Sequence, residues 1–317
     1  MKKVLKTAAV AVTLVAFYGA PAWGVWLYEG QWPDPPDPNT LNSPRGVAAI
    51  GDGTFYVCDV TNHRVWCVNV TGPRFYWGGY GSDPGKFIYP YDVALSPDNR
   101  VYVVDRDNNR IQYFNATGSF LGSWNTLYDG RLMIPVRIAV ARNSTVFVVI
   151  GGNKLVLRYS STGSLLGSWV GTTFLDSVSG LAISPSSIVY VAEGPVHRVK
   201  YFTRAGSYLG QWGSFGSGPG QLSSPQGIGV APNGSVFVCE GGNRRVQLFT
   251  PTGSYLEMFG SRGKGPGQFE NPNSVAISPG GETVFVADSP TDRVQWFRPD
   301  NVAVIPASLG KVKALFR

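Results

Sequence analysis

Residues 225–269 read PQGIGVAPNGSVFVCEGGNRRVQLFTPTGSYLEMFGSRGKGPGQF and contain one full copy of a pattern that recurs along the chain. A proline opens an apolar run (PQGIGVA), a second run ends on an acid (SVFVCE), a third begins with arginine (RVQLF) and a fourth ends on an aromatic residue (SYLEMF). Gly, Asn and Pro separate the four runs, and the second and third are rich in β-branched and aromatic residues. This arrangement predicts four short strands joined by tight turns.

Six units of this kind follow one another in the 317-residue chain. Their third runs begin at positions spaced by 43 to 48 residues: Arg64, Arg110, Leu155, Arg198, Arg245 and Arg293. Four strands per period of about 40–50 residues are typical of a β-propeller blade. The composition agrees, since 40 Gly, 23 Pro and only 15% charged residues exclude a coiled coil and a disordered chain. We expect an all-β, six-bladed propeller of four-stranded antiparallel blades.

The missing fourth strand of the last unit is found at the other end of the chain. After RVQWFRPDN (293–301) no run of the SYLEMF kind follows, whereas WLYEGQW (26–32) is similar to YLGQW (208–212). The aromatic residue that ends each fourth run then forms a complete column: Trp32, Trp77, Trp124, Trp169, Trp212 and Phe259. The sequence therefore predicts that Trp26–Trp32 completes the sixth blade and closes the ring, which removes exposed sheet edges.

An acid lies five residues before the leading arginine in five of the six units. The pairs are Asp59/Arg64, Asp105/Arg110, Glu193/Arg198, Glu240/Arg245 and Asp288/Arg293. Both partners change together in the third unit, to Ile150 and Leu155. The spacing places each pair across the hairpin between the second and third strands, so we expect structural ion pairs there.

Taken together, these motifs resemble the NHL-repeat family of six-bladed propellers. The resemblance rests on the pattern P-x-G-[IV]-A-[IV], then V-[YF]-V-x-[DE]-x-x-N-x-R-[IV]-Q-x-F, then G-S-x-L-x-x-[WF]-G-S-x-G-x-G-P-G-Q-F, and it extends from about Trp26 to Asn301. It implies the fold but no single activity, because propellers host unrelated functions.

The two ends of the chain differ from the repeats. Residues 1–22 combine a basic start, an apolar run and an Ala20-Pro21-Ala22 cleavage pattern, which predicts a secretory signal peptide. An uncleaved N-terminal anchor is the alternative. The propeller would then occupy 23–301, with a basic tail at 302–317 that offers a surface contact or is a frayed end. We expect a secreted, extracellular or cell-surface protein, periplasmic in a host with two membranes, without a transmembrane segment once the signal is removed.

The net charge of +7 comes mostly from these ends. Six basic residues lie in the terminal segments, which leaves 21 basic against 20 acidic residues in the body. A nearly neutral body makes nucleic acid an unsuitable partner. Four sequons, at Asn69, Asn115, Asn143 and Asn233, match the glycosylation pattern, although turn chemistry explains Asn69 and Asn115 equally well.

Two enzyme classes share this fold and give the alternative function. Lyases with NHL-type propellers use several channel histidines, but this chain has only His63 and His197, in blades one and four. Lactonase-like propellers hold a divalent cation with Glu, Asn and Asp, and here only Asp92 and Asn273 offer such oxygens at the channel mouth. We therefore expect no cofactor, no metal and no catalytic residues.

The residues that follow the first-strand proline vary between units while the frame repeats. Because Arg and Tyr are favoured interface anchors, the predicted ligand-contact set is Arg45, Tyr91, Asp92, Arg137, Gln226 and Asn273. Asp92 and Arg137 are in adjacent blades and can alternatively pair with each other without a function. The function that we expect is a non-catalytic binding or scaffold module for a protein, peptide or glycan. The alternative is a metal-dependent hydrolase, lactonase or lyase.

Overall fold

The computed structural model describes residues 25–37, 39–51, 53–152, 155–169 and 175–300. Within these residues it contains six four-stranded antiparallel sheets arranged as the blades of one propeller, as the repeats predict. The predicted signal peptide (1–22) and tail (302–317) lie outside the described residues. In the part that is described, no helix has the length and apolar character needed to cross a membrane.

The first strand of each blade lies innermost, because it contacts the first strands of its neighbours around the channel. From the channel outward, blade 1 contains Pro44–Gly51, Thr54–Asp59, Arg64–Asn69 and Gly72–Gly78; blade 2, Pro90–Leu95, Val101–Asp105, Arg110–Phe114 and Phe120–Asn125; blade 3, Pro135–Val140, Val146–Ile150, Leu155–Tyr159 and Leu165–Trp169. Blade 4 contains Gly180–Ile183, Ile188–Glu193, Arg198–Thr203 and Tyr208–Trp212; blade 5, Pro225–Val230, Val236–Glu240, Arg245–Phe249 and Tyr255–Phe259; blade 6, Pro272–Ile277, Val284–Asp288, Arg293–Pro299 and Trp26–Trp32.

Shorter elements lie at the end of the ring where the first strands begin, which we call the upper face. Single 3-10 turns connect the second and third strands in blades 2, 4 and 6, at Arg106–Asn108, Gly194–Val196 and Ser289–Thr291. The loop that leads into blade 3 is a small hairpin, in which Leu127–Tyr128 pairs with Arg131–Leu132. The opposite end, with the turns between first and second strands, is the lower face.

Ring closure occurs as the sequence predicts. The strand Trp26–Trp32 pairs antiparallel with Arg293–Pro299 and forms the outer edge of blade 6. Its first indole, Trp26, packs against Phe237 of blade 5 at 5.5 Å between ring centroids. Its last, Trp32, packs against Trp66 of blade 1 at 5.2 Å. The N-terminal strand therefore joins the hydrophobic layers on both sides of blade 6.

The closing aromatic column explains a glycine that blades 2 to 5 share. In the turn between the third and fourth strands, Gly118 and Gly253 adopt φ values of 80° and 93°, which favour glycine. A Cβ on Gly118 would lie 2.8 Å from the Trp77 ring of the preceding blade, and one on Gly253 would lie 2.4 Å from Trp212. The indoles of Trp77, Trp124, Trp169 and Trp212 thus pack directly against the backbone of the next blade.

We predict that Trp32→Ala lowers the free energy of unfolding by about 3–5 kcal/mol, because it empties a buried site at the closure. The indole is only 7% exposed in the native protein. Leu27→Ala is the matched control on the same strand, since Leu27 is 44% exposed and should change the free energy by less than about 0.5 kcal/mol. Denaturant unfolding measures both. Equal effects of the two substitutions would contradict a closing role for the strand.

A buried carboxylate and an arginine bridge the second and third strands in five blades. The shortest N–O distances are 2.7 Å for Asp59/Arg64, 2.7 Å for Asp105/Arg110, 2.6 Å for Glu193/Arg198, 2.6 Å for Glu240/Arg245 and 3.9 Å for Asp288/Arg293. All five acids are fully buried. Burial raises the pKa of Asp59 and Asp105, while hydrogen bonds from arginine, asparagine and backbone oppose that shift.

Each pair also holds the loop that leads into its own blade. In blade 2, Arg110 donates to the carbonyl oxygens of Ser82, Asp83 and Lys86 at 2.7, 3.1 and 3.0 Å. Asp105 in turn accepts the backbone N–H of Ile88 at 2.8 Å. Blades 5 and 6 repeat these contacts through Arg245 and Arg293. We call this arrangement the loop clasp.

Blade 3 lacks the clasp and has a different loop. Ile150 and Leu155 take the positions of the acid and the arginine, and both are buried. The loop satisfies its own backbone groups instead, through the small hairpin and the bonds from Met133 N–H to Thr126 oxygen (2.8 Å) and from Gly151 N–H to Ile134 oxygen (2.8 Å). An apolar pair is tolerated here because no loop carbonyls depend on it.

Replacing Arg110 by methionine should lower the unfolding free energy by about 3–5 kcal/mol, because it leaves Asp105 buried without a counter-charge. The difference in unfolding free energy between the variant and the native protein should shrink as the pH falls toward about 4. Asp105 is then protonated in the unfolded chain as well as in the folded variant. Arg142→Met, at an exposed lower-face arginine, serves as the control. An effect within about 1 kcal/mol at neutral pH would show that the clasp adds little.

Candidate functional site

The channel is narrow at its upper end because the first strands approach each other closely. The second residue after each first-strand proline, or its equivalent in blade 4, forms a ring around the channel: Gly46, Asp92, Arg137, Gly180, Gly227 and Ser274. A Cβ on Gly46 would lie 2.5 Å from the Asp92 Cα atom, and one on Gly227 would lie 2.6 Å from the Ser274 Cα atom. Glycine is required for this approach, which leaves Asp92 and Arg137 as the large polar side chains of the ring.

Asp92 is a buried carboxylate held by backbone amides. Its Oδ1 accepts the N–H of Val93 and its Oδ2 accepts the N–H of Ile138 in blade 3, both at 3.0 Å. Burial raises the pKa of Asp92 to about 6, against the opposing charge of Arg137 and the two hydrogen bonds. The carboxyl group therefore titrates slightly below neutral pH.

Arg137 is close to Asp92 but does not form a direct ion pair with it. Its Nε donates to the carbonyl oxygen of Ser179 at 2.5 Å, in blade 4. Its Nη1 is buried and has no hydrogen-bond partner. Asp92 and Arg137, whose pairing the sequence left open, thus influence each other electrostatically without a direct hydrogen bond.

Asn273 adds a second unsatisfied group to the same cavity. The residue is 1% exposed, and neither its Oδ1 nor its Nδ2 has a partner. Together with Asp92 and Arg137 it lines a cavity of about 90 Å³ in the channel. Such groups are normally satisfied by a ligand or by water molecules, so the cavity is suited to a polar occupant.

Three guanidinium groups surround one tyrosine ring at the mouth. The Cζ atoms of Arg45, Arg106 and Arg137 lie 4.4, 5.3 and 5.6 Å from the centroid of Tyr91. Desolvation and the neighbouring arginines lower the pKa of Arg45, although Tyr91 opposes the shift. Arg106 pairs with exposed Asp107 at 2.7 Å, whereas no acid among the described residues pairs with Arg45. The mouth therefore carries uncompensated positive charge.

Two exposed aromatic residues lie farther out on the upper face. Tyr80 and Phe215 are 72% and 71% exposed, in the loops that lead into blades 2 and 5. Each contacts a histidine ring, His63 at 5.1 Å and His197 at 4.7 Å between centroids. Arginine and aromatic side chains together have the composition of a protein interface.

The structure brings most of the predicted contact residues together. Arg45, Tyr91 and Arg137 meet at the mouth, and Asp92 and Asn273 lie in the channel beneath it. Gln226 does not join this group. Its Nε2 donates to Asn271 Oδ1 at 2.8 Å, in the loop that leads into blade 6, so its side-chain amide is already hydrogen-bonded.

Three residues of this surface, Arg106, Tyr80 and Phe215, were not predicted from the sequence. Arg106 directly follows the clasp acid of blade 2, where the other turns have Val60, Gly194, Gly241 and Ser289. The aromatic residues occupy one variable position in glycine-rich loops, GGYGS and GSFGS. The sequence signal for these residues was that their positions vary between repeats whose other residues recur. An exposed position that varies in this way is free to contribute to binding.

Among the described residues, no set of side chains suits a metal centre. His63 and His197 each accept a backbone N–H at Nδ1, from Tyr89 at 3.1 Å and from Ser224 at 3.0 Å. Within the described ranges no group of three or more His, Cys, Asp or Glu side chains could hold a metal ion. In the channel, Asp92 and Asn273 supply too few side-chain oxygen ligands for a hard cation.

Comparison with known proteins agrees with this fold. The NHL repeat family model matches residues 41–68 and 87–114. The protein is thus a six-bladed β-propeller that carries NHL repeats. No curated protein matches the sequence significantly.

Solved structures with the same architecture include enzymes of different chemistry. A virginiamycin B lyase from Staphylococcus aureus has 13% identity and a TM-score of 0.59, over 85% of this chain and 98% of that one. A gluconolactonase from Xanthomonas campestris has 16% identity and a TM-score of 0.62, over 87% and 97%. Hydrazine synthase from Kuenenia stuttgartiensis has 12% identity and a TM-score of 0.59, over 82% and 96%. At these identities the similarity shows the fold alone.

Proposed function

We propose that the protein is a non-catalytic binding module whose upper face captures an acidic polypeptide. The observation that carries this proposal is the group of three guanidinium groups around Tyr91, one of them without an acidic partner among the described residues. Arginine and tyrosine anchors of this kind dominate binding energy at interfaces. Of the protein, peptide and glycan ligands that the sequence allows, an acidic chain best complements the positive mouth.

The exposed aromatic residues extend the same surface. Tyr80 and Phe215 lie in the loops into blades 2 and 5, on opposite sides of the mouth. The clasp fixes both loops, because Arg110 and Arg245 bind their carbonyl oxygens. A partner would thus meet a preformed surface and lose little affinity to loop ordering.

The binding proposal can be tested with an amidated, fluorescein-labelled hexaglutamate peptide as the probe. We expect Arg45→Ala and Tyr91→Ala each to weaken binding about tenfold, which corresponds to about 1.4 kcal/mol. Binding by the native protein should also weaken as salt rises. The control is Arg142→Ala on the lower face, which should bind as the native protein does. Fluorescence anisotropy measures all four proteins.

Two results would contradict the proposal. Equal binding by Arg45→Ala, Tyr91→Ala and the native protein would move the interface away from the mouth. Stoichiometric Ca²⁺ or Zn²⁺ in the purified protein, measured by elemental analysis, would instead favour the metal-dependent hydrolase or lyase that remains the alternative.

We also propose that the protein acts outside the cytoplasm. The support is the sequence of residues 1–22, with its basic start, apolar run and Ala20-Pro21-Ala22 pattern. Expression of the full chain in a secreting host should yield exported protein whose N-terminal residue is Trp23, as determined by mass spectrometry. Retention of Met1 on a membrane-bound protein would indicate the uncleaved anchor instead.

A further inference from the structure

We infer that the channel beneath the mouth binds the C-terminal carboxylate of the captured polypeptide, between Arg137 and Asn273. This inference rests on the proposed function, since it assigns the end of the ligand that enters the propeller. The juxtaposition that carries it is a buried guanidinium N–H and a buried side-chain amide, both unpaired, in one cavity.

The donors and acceptors match the end of a peptide chain. Arg137 Nη1 and Asn273 Nδ2 are hydrogen-bond donors, and a carboxylate has two oxygens that accept from such a pair. Asn273 Oδ1 remains as an acceptor, and the last peptide N–H of the ligand lies one residue from its carboxylate. A terminal residue with its own amide therefore satisfies all three groups, whereas an isolated anion satisfies only the donors.

The cavity has room for such a group but not for a bulky one. Its volume is about 90 Å³, while about 10–15 Å³ of such space is enough for one water molecule. Its walls are rigid, because Gly46 and Gly227 leave no space between neighbouring first strands. A carboxylate and a small terminal side chain fit these limits, and a whole helix does not.

Asp92 makes the binding dependent on pH. The carboxyl group lines the same cavity, and its neighbours are Arg137 from blade 3 and the Cys58 thiol of blade 1. Burial raises the pKa of that thiol well above its usual value, so it stays neutral. Ionised Asp92 repels a carboxylate, and protonated Asp92 does not. Because the pKa of Asp92 is about 6, binding should tighten as the pH falls through that value.

The test uses N-acetylglycine, which mimics a peptide C-terminus, and compares it with N-acetylglycinamide, acetate and inorganic phosphate. The readout is the Arg137 Nε–Hε signal in a ¹⁵N NMR titration of the native protein. We expect N-acetylglycine to shift this signal with saturation, acetate to bind about tenfold more weakly, and the amide not to bind. Affinity for N-acetylglycine should rise at least threefold from about pH 7.5 to about pH 5, where its carboxylate is still ionised.

Two variants locate the site. Asn273→Ala should weaken binding of N-acetylglycine about tenfold, and Arg137→Lys should weaken it by a similar factor while keeping the charge. Because Arg137→Lys lacks the guanidinium signal, the readout for that variant is the side-chain Nδ2 signal of Asn273. Arg142→Lys on the lower face is the matched control. Asp92→Asn should abolish the pH dependence, and the two other variants keep the test valid if that protein does not fold.

Several outcomes would overturn the inference. They are the absence of any shift with N-acetylglycine, equal binding of its amide, or equal binding of inorganic phosphate. The proposed function is tested separately, because the hexaglutamate probe has no free C-terminus. If that probe binds through Arg45 and Tyr91 while N-acetylglycine does not bind, the upper face captures acidic chains without using the channel.

Discussion

The buried ion pair between the second and third strands is the interaction on which the upper half of the propeller depends. A lone carboxylate such as Asp105 would be costly at full burial, and Arg110 together with the Ile88 amide offsets that cost. The same guanidinium group binds three carbonyl oxygens of the loop into blade 2. One pair therefore orders the hairpin, the loop and the start of the first strand, where Tyr91 and Asp92 follow.

Blade 3 lacks this buried ion pair and has a different loop structure. Ile150 and Leu155 replace the pair, and the loop folds as a hairpin that satisfies its own backbone. Arg137 is the third residue of the first strand of this blade, and its Nε donates to the carbonyl oxygen of Ser179 in blade 4. Asp92 and Arg137 thus lie where blade 2, which has the full clasp, meets blade 3, which has none. A perfectly regular ring would have placed glycine or another small residue at both channel positions.

The repeats made the blade count, the strand order and the closing strand predictable, because each depends on local alternation and turn residues that recur six times. The predicted ligand-contact residues could be identified only as positions that vary between repeats whose other residues recur. Sequence alone could not show that Gln226 is occupied by Asn271, or that Arg106 turns toward Tyr91, because both depend on distances between segments from different blades or turns. It also could not show that both carboxylate oxygens of Asp92 accept hydrogen bonds from backbone N–H groups.

The hydrogen bonding of Asp92 to the backbone determines which polar groups of the channel remain unpaired. Had Asp92 and Arg137 formed a direct pair, each would have satisfied the other and the pair would need no ligand. Instead the backbone of blades 2 and 3 satisfies the acid, and the guanidinium group keeps a buried, unpaired N–H beside the unpaired amide of Asn273. Desolvation of unpaired donors costs about 1–3 kcal/mol each, so this arrangement is unfavourable unless a ligand or water molecules in the cavity satisfy the donors. In the proposed function, the mouth arginines provide the long-range attraction and the channel provides the short-range recognition, so that charge and specificity lie at successive depths of one axis.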